Sequence, residues 1–130
     1  MPESQGKILI IEDDSFLVEM YSAKFELENF SVNSAEDGKK GVELAKKDLP
    51  DIILLDILMP KMDGFAVLDE LKKEDSTKDI PVVLLTNLGQ KEDVKKGFEK
   101  GAVGYLIKAH FMPSEVVDKI KDILKESKKK

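Results

Sequence analysis

Short runs of consecutive apolar residues recur along the chain, and a longer stretch with helical spacing of apolar positions separates each from the next. The runs fall at 8–11 (Ile8, Leu9, Ile10, Ile11), 52–55 (Ile52, Ile53, Leu54, Leu55), 82–85 (Val82, Val83, Leu84, Leu85) and 105–107 (Tyr105, Leu106, Ile107). A weaker run at 30–32 is diluted by Asn33 and Ser34 just behind it. Unbroken apolar sequence, rather than strict alternation, is what a strand needs when both its faces are covered, as in a parallel sheet. Between the runs the clearest helix is the last, where Val116, Val117, Ile120, Ile123 and Leu124 line one face and charges line the other. Pro113 suits its first position and Glu115 its first turn. Leu17, Met20 and Tyr21 mark a first helix, Val42 and Ala45 a second over 38–47, and Phe65, Leu68 and Leu71 a third. Val94 and Phe98 are the only apolar anchors of a fourth over 91–99. Five strand-then-helix units predict the α/β class: one doubly wound sheet of five parallel strands between two helical layers, joined by right-handed crossovers.

Composition narrows the function classes. A chain of 130 residues fits one domain and buries enough surface for a core without staples. There is no cysteine, hence no disulfide, thiolate metal site or cysteine nucleophile, and the lone His110 excludes a multi-histidine centre. The apolar runs are too short to cross a membrane, and residues 1–7 are too polar for a secretory signal. With 26 acids against 21 bases the net charge is −5, which argues against direct nucleic-acid binding. The expectation is a soluble, cytoplasmic, single-domain protein spanning 1–130. Its core covers about 7–124, and a basic tail at 125–130 frays in solvent.

In an open parallel sheet, ligands bind beyond the carboxyl ends of the strands. The residues found there are Glu12, Asp13 and Asp14 after the first run, Asp56 after the third, Thr86 after the fourth and Lys108 after the fifth. Taken singly, an acid after a strand is usually a helix cap or a turn residue, and Asp14 or Ser15 fits that role. Taken together, Glu12, Asp13 and Asp56 would repel one another unless one is protonated or a cation neutralises them. A few carboxylates with room for water describe magnesium better than calcium. Such an ion, with the Thr86 hydroxyl and the Lys108 ammonium, could receive phosphoryl oxygens and leave Asp56 to act as a nucleophile toward phosphorus. Nucleotide-loop spacing is absent: Gly38-Lys39-Lys40-Gly41 does not match it, and Gly101 and Gly104 precede a strand.

The segment Asp56-Ile57-Leu58-Met59-Pro60-Lys61-Met62-Asp63-Gly64 closely resembles the phosphoacceptor signature of response-regulator receiver domains. Leu9-Ile10-Ile11-Glu12-Asp13-Asp14 is similar to the opening strand and acidic pair of that family, and the likeness runs from about 7 to 124. The resemblance implies the strand order 2-1-3-4-5 of a stand-alone, chemotaxis-receiver-like domain. It implies that Asp56 takes a phosphoryl group from a sensor histidine kinase or phosphotransfer protein. Asp13, Asp56 and the Leu58 backbone carbonyl would hold Mg2+, with Glu12 acting mainly through water. Thr86 and Lys108 would bind phosphoryl oxygens, and Thr86 with Tyr105 would form a switch read by an output protein the sequence does not name. The chain would be a phosphoacceptor module and not a turnover enzyme.

The sequence departs from the family pattern in three places. Asn87 stands where a small Ala is usual. Ala109 follows Lys108 in place of Pro; a cis Lys-Ala bond would cost about 2.5–4 kcal/mol, so the loop is expected to run trans and shift Lys108. After Lys108 there is room for one helix only, which predicts no output domain. Two rivals remain. A dehalogenase-like phosphotransfer enzyme also uses an aspartate nucleophile with magnesium, but it wants an acid two residues later, where this chain has Leu58. A degenerate receiver would bind its partner without phosphorylation. His110 reads as a surface or packing residue, and Phe111 and Met112 either anchor a partner or cover the end of the sheet.

Overall fold

Each apolar run becomes a strand in the computed structural model, which describes residues 4–128. The strands are β1 (Gly6–Ile11), β2 (Phe30–Ala35), β3 (Ile52–Leu55), β4 (Val82–Thr86) and β5 (Gly104–Ile107). They alternate with α1 (Ser15–Leu27), α2 (Gly38–Asp48), α3 (Gly64–Lys73), α4 (Lys91–Glu99) and α5 (Pro113–Lys128), and a 3-10 turn (Lys108–His110) follows β5. All strand pairs are parallel, in the order β2-β1-β3-β4-β5. Alternate residues of the central strands feed opposite layers. Leu9, Ile11, Ile53 and Leu84 pack with Val42 of α2 and Leu68 of α3. Ile8, Ile10, Leu54 and Val83 pack with Phe25 of α1 and Ile120 of α5. The two faces of one continuous run thus build two cores, as a doubly covered sheet requires.

The polar residues that weakened the second run belong to an edge strand. Among the described residues β2 pairs only with β1, and Asn33 spends its amide on Asp48 Oδ2 at 2.6 Å. Three helices start with an aspartate whose side chain accepts from backbone N–H groups of the first turn: Asp14 for α1, Asp37 for α2 and Asp63 for α3. Asp14, not Ser15, is therefore the cap of α1.

Two expectations need correction. The chain expected to fray from 125 is still helical through Lys128; Lys129 and Lys130 lie outside the described residues. Phe98, read as an inward anchor of the fourth helix, is 48% exposed. The contact point of α4 is instead Gly97, the one buried residue of that helix, where a Cβ would lie 2.7 Å from Leu84 Cδ1. With a glycine inside it and no side-chain bond at its Gln90 cap, α4 is held weakly. Its amides should exchange with solvent faster than those of α5 between 116 and 124, measured by hydrogen exchange on the unphosphorylated chain. Equal protection in the two helices would contradict this.

Candidate functional site

Sheet register places the acids. β1 and β3 are neighbours with Ile11 opposite Leu55, so the next residues, Glu12 and Asp56, leave the sheet side by side. Each is anchored by its own amide: Glu12 N donates to Ala35 O at 3.0 Å and Asp56 N to Ile11 O at 3.0 Å. Carboxylate oxygens of Glu12, Asp13 and Asp56 lie within 4.8 Å of one another. Glu12 and Asp56 are buried and Asp13 is exposed, so the cluster has one wet side. Asp56 Oδ1 accepts from Ile57 N at 2.7 Å and from Leu58 N at 3.3 Å, which holds its carboxylate in one orientation. Oδ2 has no backbone donor of this kind and faces Lys108.

Lys108 comes from the turn after β5, and its ammonium reaches past the end of β4 to bridge both buried acids. Nζ lies 2.5 Å from Glu12 Oε1 and 3.0 Å from Asp56 Oδ2. Burial opposes its charge, but the hydrogen bond to Glu12 and the charge of Asp56 outweigh that, and the Lys108 pKa is raised. One ammonium does not balance three carboxylates. Burial, opposed by the Lys108 hydrogen bond and reinforced by the Asp56 charge, pushes the Glu12 carboxyl up to about 7. All-oxygen donors, excess negative charge and access to water on the Asp13 side fit a small hard divalent cation such as Mg2+.

The raised Glu12 pKa makes stability depend on pH. Between the ordinary glutamate value of 4.5 and about 7, the folded metal-free chain keeps a proton that the unfolded chain has released. This contribution is fully present at the low end of that window and is lost as pH rises through about 7. At most it amounts to about 3 kcal/mol. Urea midpoints of the metal-free chain at pH 5.5 and pH 8 should therefore differ more in the wild type than in Glu12→Gln. An equal difference in both would show that the slope comes from elsewhere.

The other expected residues sit around this cluster. Thr86 is the last residue of β4, fully buried, and its Oγ1 accepts from Leu88 N at 3.3 Å. Tyr105 lies one strand further out, half-buried, and its hydroxyl donates to the Leu88 carbonyl rather than entering the acid cluster. Burial, with the Asp93 and Asp56 charges, pushes its phenol up to about 12. Leu58 sits in the turn after Asp56 with 56% of its surface exposed. The peptide bond after Lys108 is trans, as expected. His110 is exposed; Phe111 packs against the α1–α5 core, covering the end of the sheet, whereas Met112 is 66% exposed.

The second half of the signature is scaffold. Asp63 caps α3, and Gly64 N donates to Ile57 O at 2.9 Å, closing the loop under Asp56. Sequence reasoning missed two participants, the Leu88 carbonyl and the Asn87 carboxamide, whose Oδ1 accepts from Ala109 N at 3.1 Å.

Known proteins share this fold. The chain matches the response regulator receiver domain family over residues 8–121. It is 40% identical over 121 residues to the DNA-binding dual master transcriptional regulator RpaA of Synechocystis sp., covering 93% of this chain and 50% of that protein. It is 44% identical over 103 residues to the response regulator PleD of Caulobacter vibrioides, covering 79% of this chain and 23% of that protein. The chain thus spans half or less of the length of these curated relatives. Among solved structures, the receiver domain of Francisella response regulator 1452 superposes with a TM-score of 0.85 at 29% identity, covering 94% of this chain and 98% of that one. A CheY-like receiver domain protein from Methanospirillum hungatei gives 0.88 at 25% identity, covering 95% and 96%.

Proposed function

The chain belongs to the response regulator receiver domain family, and from that premise we propose that Asp56 is its phosphoacceptor. The observation that carries this reading is the meeting of Glu12, Asp13 and Asp56 around one carboxylate whose Oδ2 faces Lys108. Oδ2 attacks the phosphorus of a phosphohistidine on a sensor kinase or phosphotransfer protein. The new O–P bond forms as the P–N bond breaks, and the imidazole leaves with the electron pair and picks up a proton. Asp13, Asp56 and the Leu58 carbonyl would hold Mg2+, with Glu12 acting through water, and the bound ion would supply positive charge to offset that of the incoming phosphoryl group. Lys108 moves from the Asp56 carboxylate, which ceases to be a full anion, to an oxygen of the group it now carries. The Thr86 hydroxyl donates to another.

The product stays on the chain, so the reaction is a switch rather than a turnover. Thr86 is two residues from the carbonyl that Tyr105 binds, and its movement toward the phosphoryl group alters the 86–88 segment and the Tyr105 contact together. The surface so changed is read by an output protein, and the reading implies the cytoplasm. Among the described residues no helix is long and apolar enough to cross a membrane.

Magnesium titration tests the site. Asp14 spends its Oδ1 on Phe16 N and Leu17 N, whereas Asp13 belongs to the acid cluster. Asp13→Asn should weaken Mg2+ binding about tenfold, the worth of one charged oxygen ligand. Asp14→Asn should leave affinity near that of the wild type. Equal losses would refute the ligand assignment.

A further inference from the structure

Both ends of β5 are tied to the three residues that follow β4. At its start the Tyr105 hydroxyl donates to the Leu88 carbonyl, and just past its end Ala109 N donates to Asn87 Oδ1 at 3.1 Å, across 22 residues of chain. Gly89 completes the bracket: a Cβ there would lie 2.9 Å from Ile107 Cδ1. We propose that Asn87 is a positioning residue for Lys108, its carboxamide holding the turn that carries the ammonium into the acid cluster. This rests on the reading of Asp56 as phosphoacceptor and adds to it a residue that touches neither the phosphoryl group nor the metal.

The geometry follows from how short helical turns begin. The leading N–H groups of such a turn have no partner within it. At the end of the Lys108–His110 turn Phe111 N donates to Lys108 O at 3.3 Å, and the leading Ala109 N–H takes its acceptor from elsewhere. Asn87 supplies it from the neighbouring strand end, where Thr86 pairs with Ile107. Only an oxygen can accept here, so the contact fixes which way the carboxamide faces. An alanine at 87 could not accept, and a proline at 109 could not donate. Asn87 and Ala109, two residues that stand out from the sequence pattern beside Thr86 and Lys108, are thus the two halves of one hydrogen bond.

Lys108 needs this help because its ammonium must reach past β4 to Asp56 and Glu12. A reacting group that wanders by a fraction of an ångström loses rate. The bond also fastens the Lys108 turn to the residue following Thr86, so a shift of Thr86 toward the phosphoryl group carries the turn with it.

The test is a double-mutant cycle on the full chain, with a small acyl phosphate as donor at saturating Mg2+. Asn87→Ala should slow phosphorylation about threefold, the scale of one exposed hydrogen bond, and speed exchange of the Ala109 amide. In a Lys108→Ala background the same substitution should cause no further slowing, because nothing remains to be positioned. Asn87→Asp, which keeps an acceptor oxygen, should keep the Ala109 amide protected. Asn87→Ala reacting as fast as the wild type, or slowing the Lys108→Ala protein by the same factor, would overturn the positioning role. If the wild type itself gains no phosphoryl group, the assignment of Asp56 falls and the role of Asn87 falls with it.

Discussion

Gly64→Ala should lower the melting temperature by about 10 °C, corresponding to a loss on the order of 3 kcal/mol. A Cβ at Gly64 would lie 2.4 Å from the Asp56 carbonyl oxygen and 2.6 Å from Ile57 Cα. Both are backbone atoms, so no side-chain rotation relieves the clash, and the α3 start must separate from the end of β3. That separation stretches the bond from Gly64 N to Ile57 O and shifts the peptide units whose N–H groups orient Asp56 Oδ1. Gly89→Ala is the matched control, because its Cβ meets only the Ile107 side chain, with the Cδ1 methyl nearest at 2.9 Å. A methyl at the end of a flexible side chain can move, and the expected cost is below about 1 kcal/mol. Thermal unfolding of both proteins should show the large loss only at Gly64. Equal stabilities would mean that the loop under Asp56 is more yielding than its packing indicates.

This contrast bears on what could be read from the chain alone. The central strands were legible because burial on both faces demands unbroken apolar runs, and once the strands are parallel their carboxyl ends gather Glu12, Asp13, Asp56, Thr86 and Lys108 at one edge. That edge does not say how the groups pair. The Lys108 bridge between Glu12 and Asp56 depends on a turn whose shape no local pattern announces. The Asn87–Ala109 bond joins residues 22 apart through a side chain and a backbone N–H, which leaves no spacing signal at all. Phe98 misled for a related reason. Helical periodicity marks an apolar residue as inward, but α4 approaches the sheet through a glycine, and the approach leaves Phe98 partly in solvent. β2 was weak in the sequence because an edge strand tolerates polar residues that find their own partners, as Asn33 does.

Asp56→Asn should abolish phosphorylation while leaving the fold intact. Asparagine has nearly the shape of aspartate, and its oxygen can still accept from Ile57 N and Leu58 N. The substitution also removes one of two acids crowded around Lys108, so a loss of folding is not expected. What disappears is the anionic oxygen that attacks phosphorus, and a neutral carboxamide does not replace it. Neither Glu12 nor Asp13 can take over. Among the described residues, neither has the pair of backbone N–H donors that holds the Asp56 carboxylate in one orientation. The most direct measurement is intact mass after incubation with a small acyl phosphate donor, with Mg2+ or with a chelator, for the wild type and Asp56→Asn. The wild type should gain the mass of one phosphoryl group in Mg2+ and far less with the chelator, and Asp56→Asn should gain none; an Asp56→Asn protein that takes up the same mass at the wild-type rate would contradict the account.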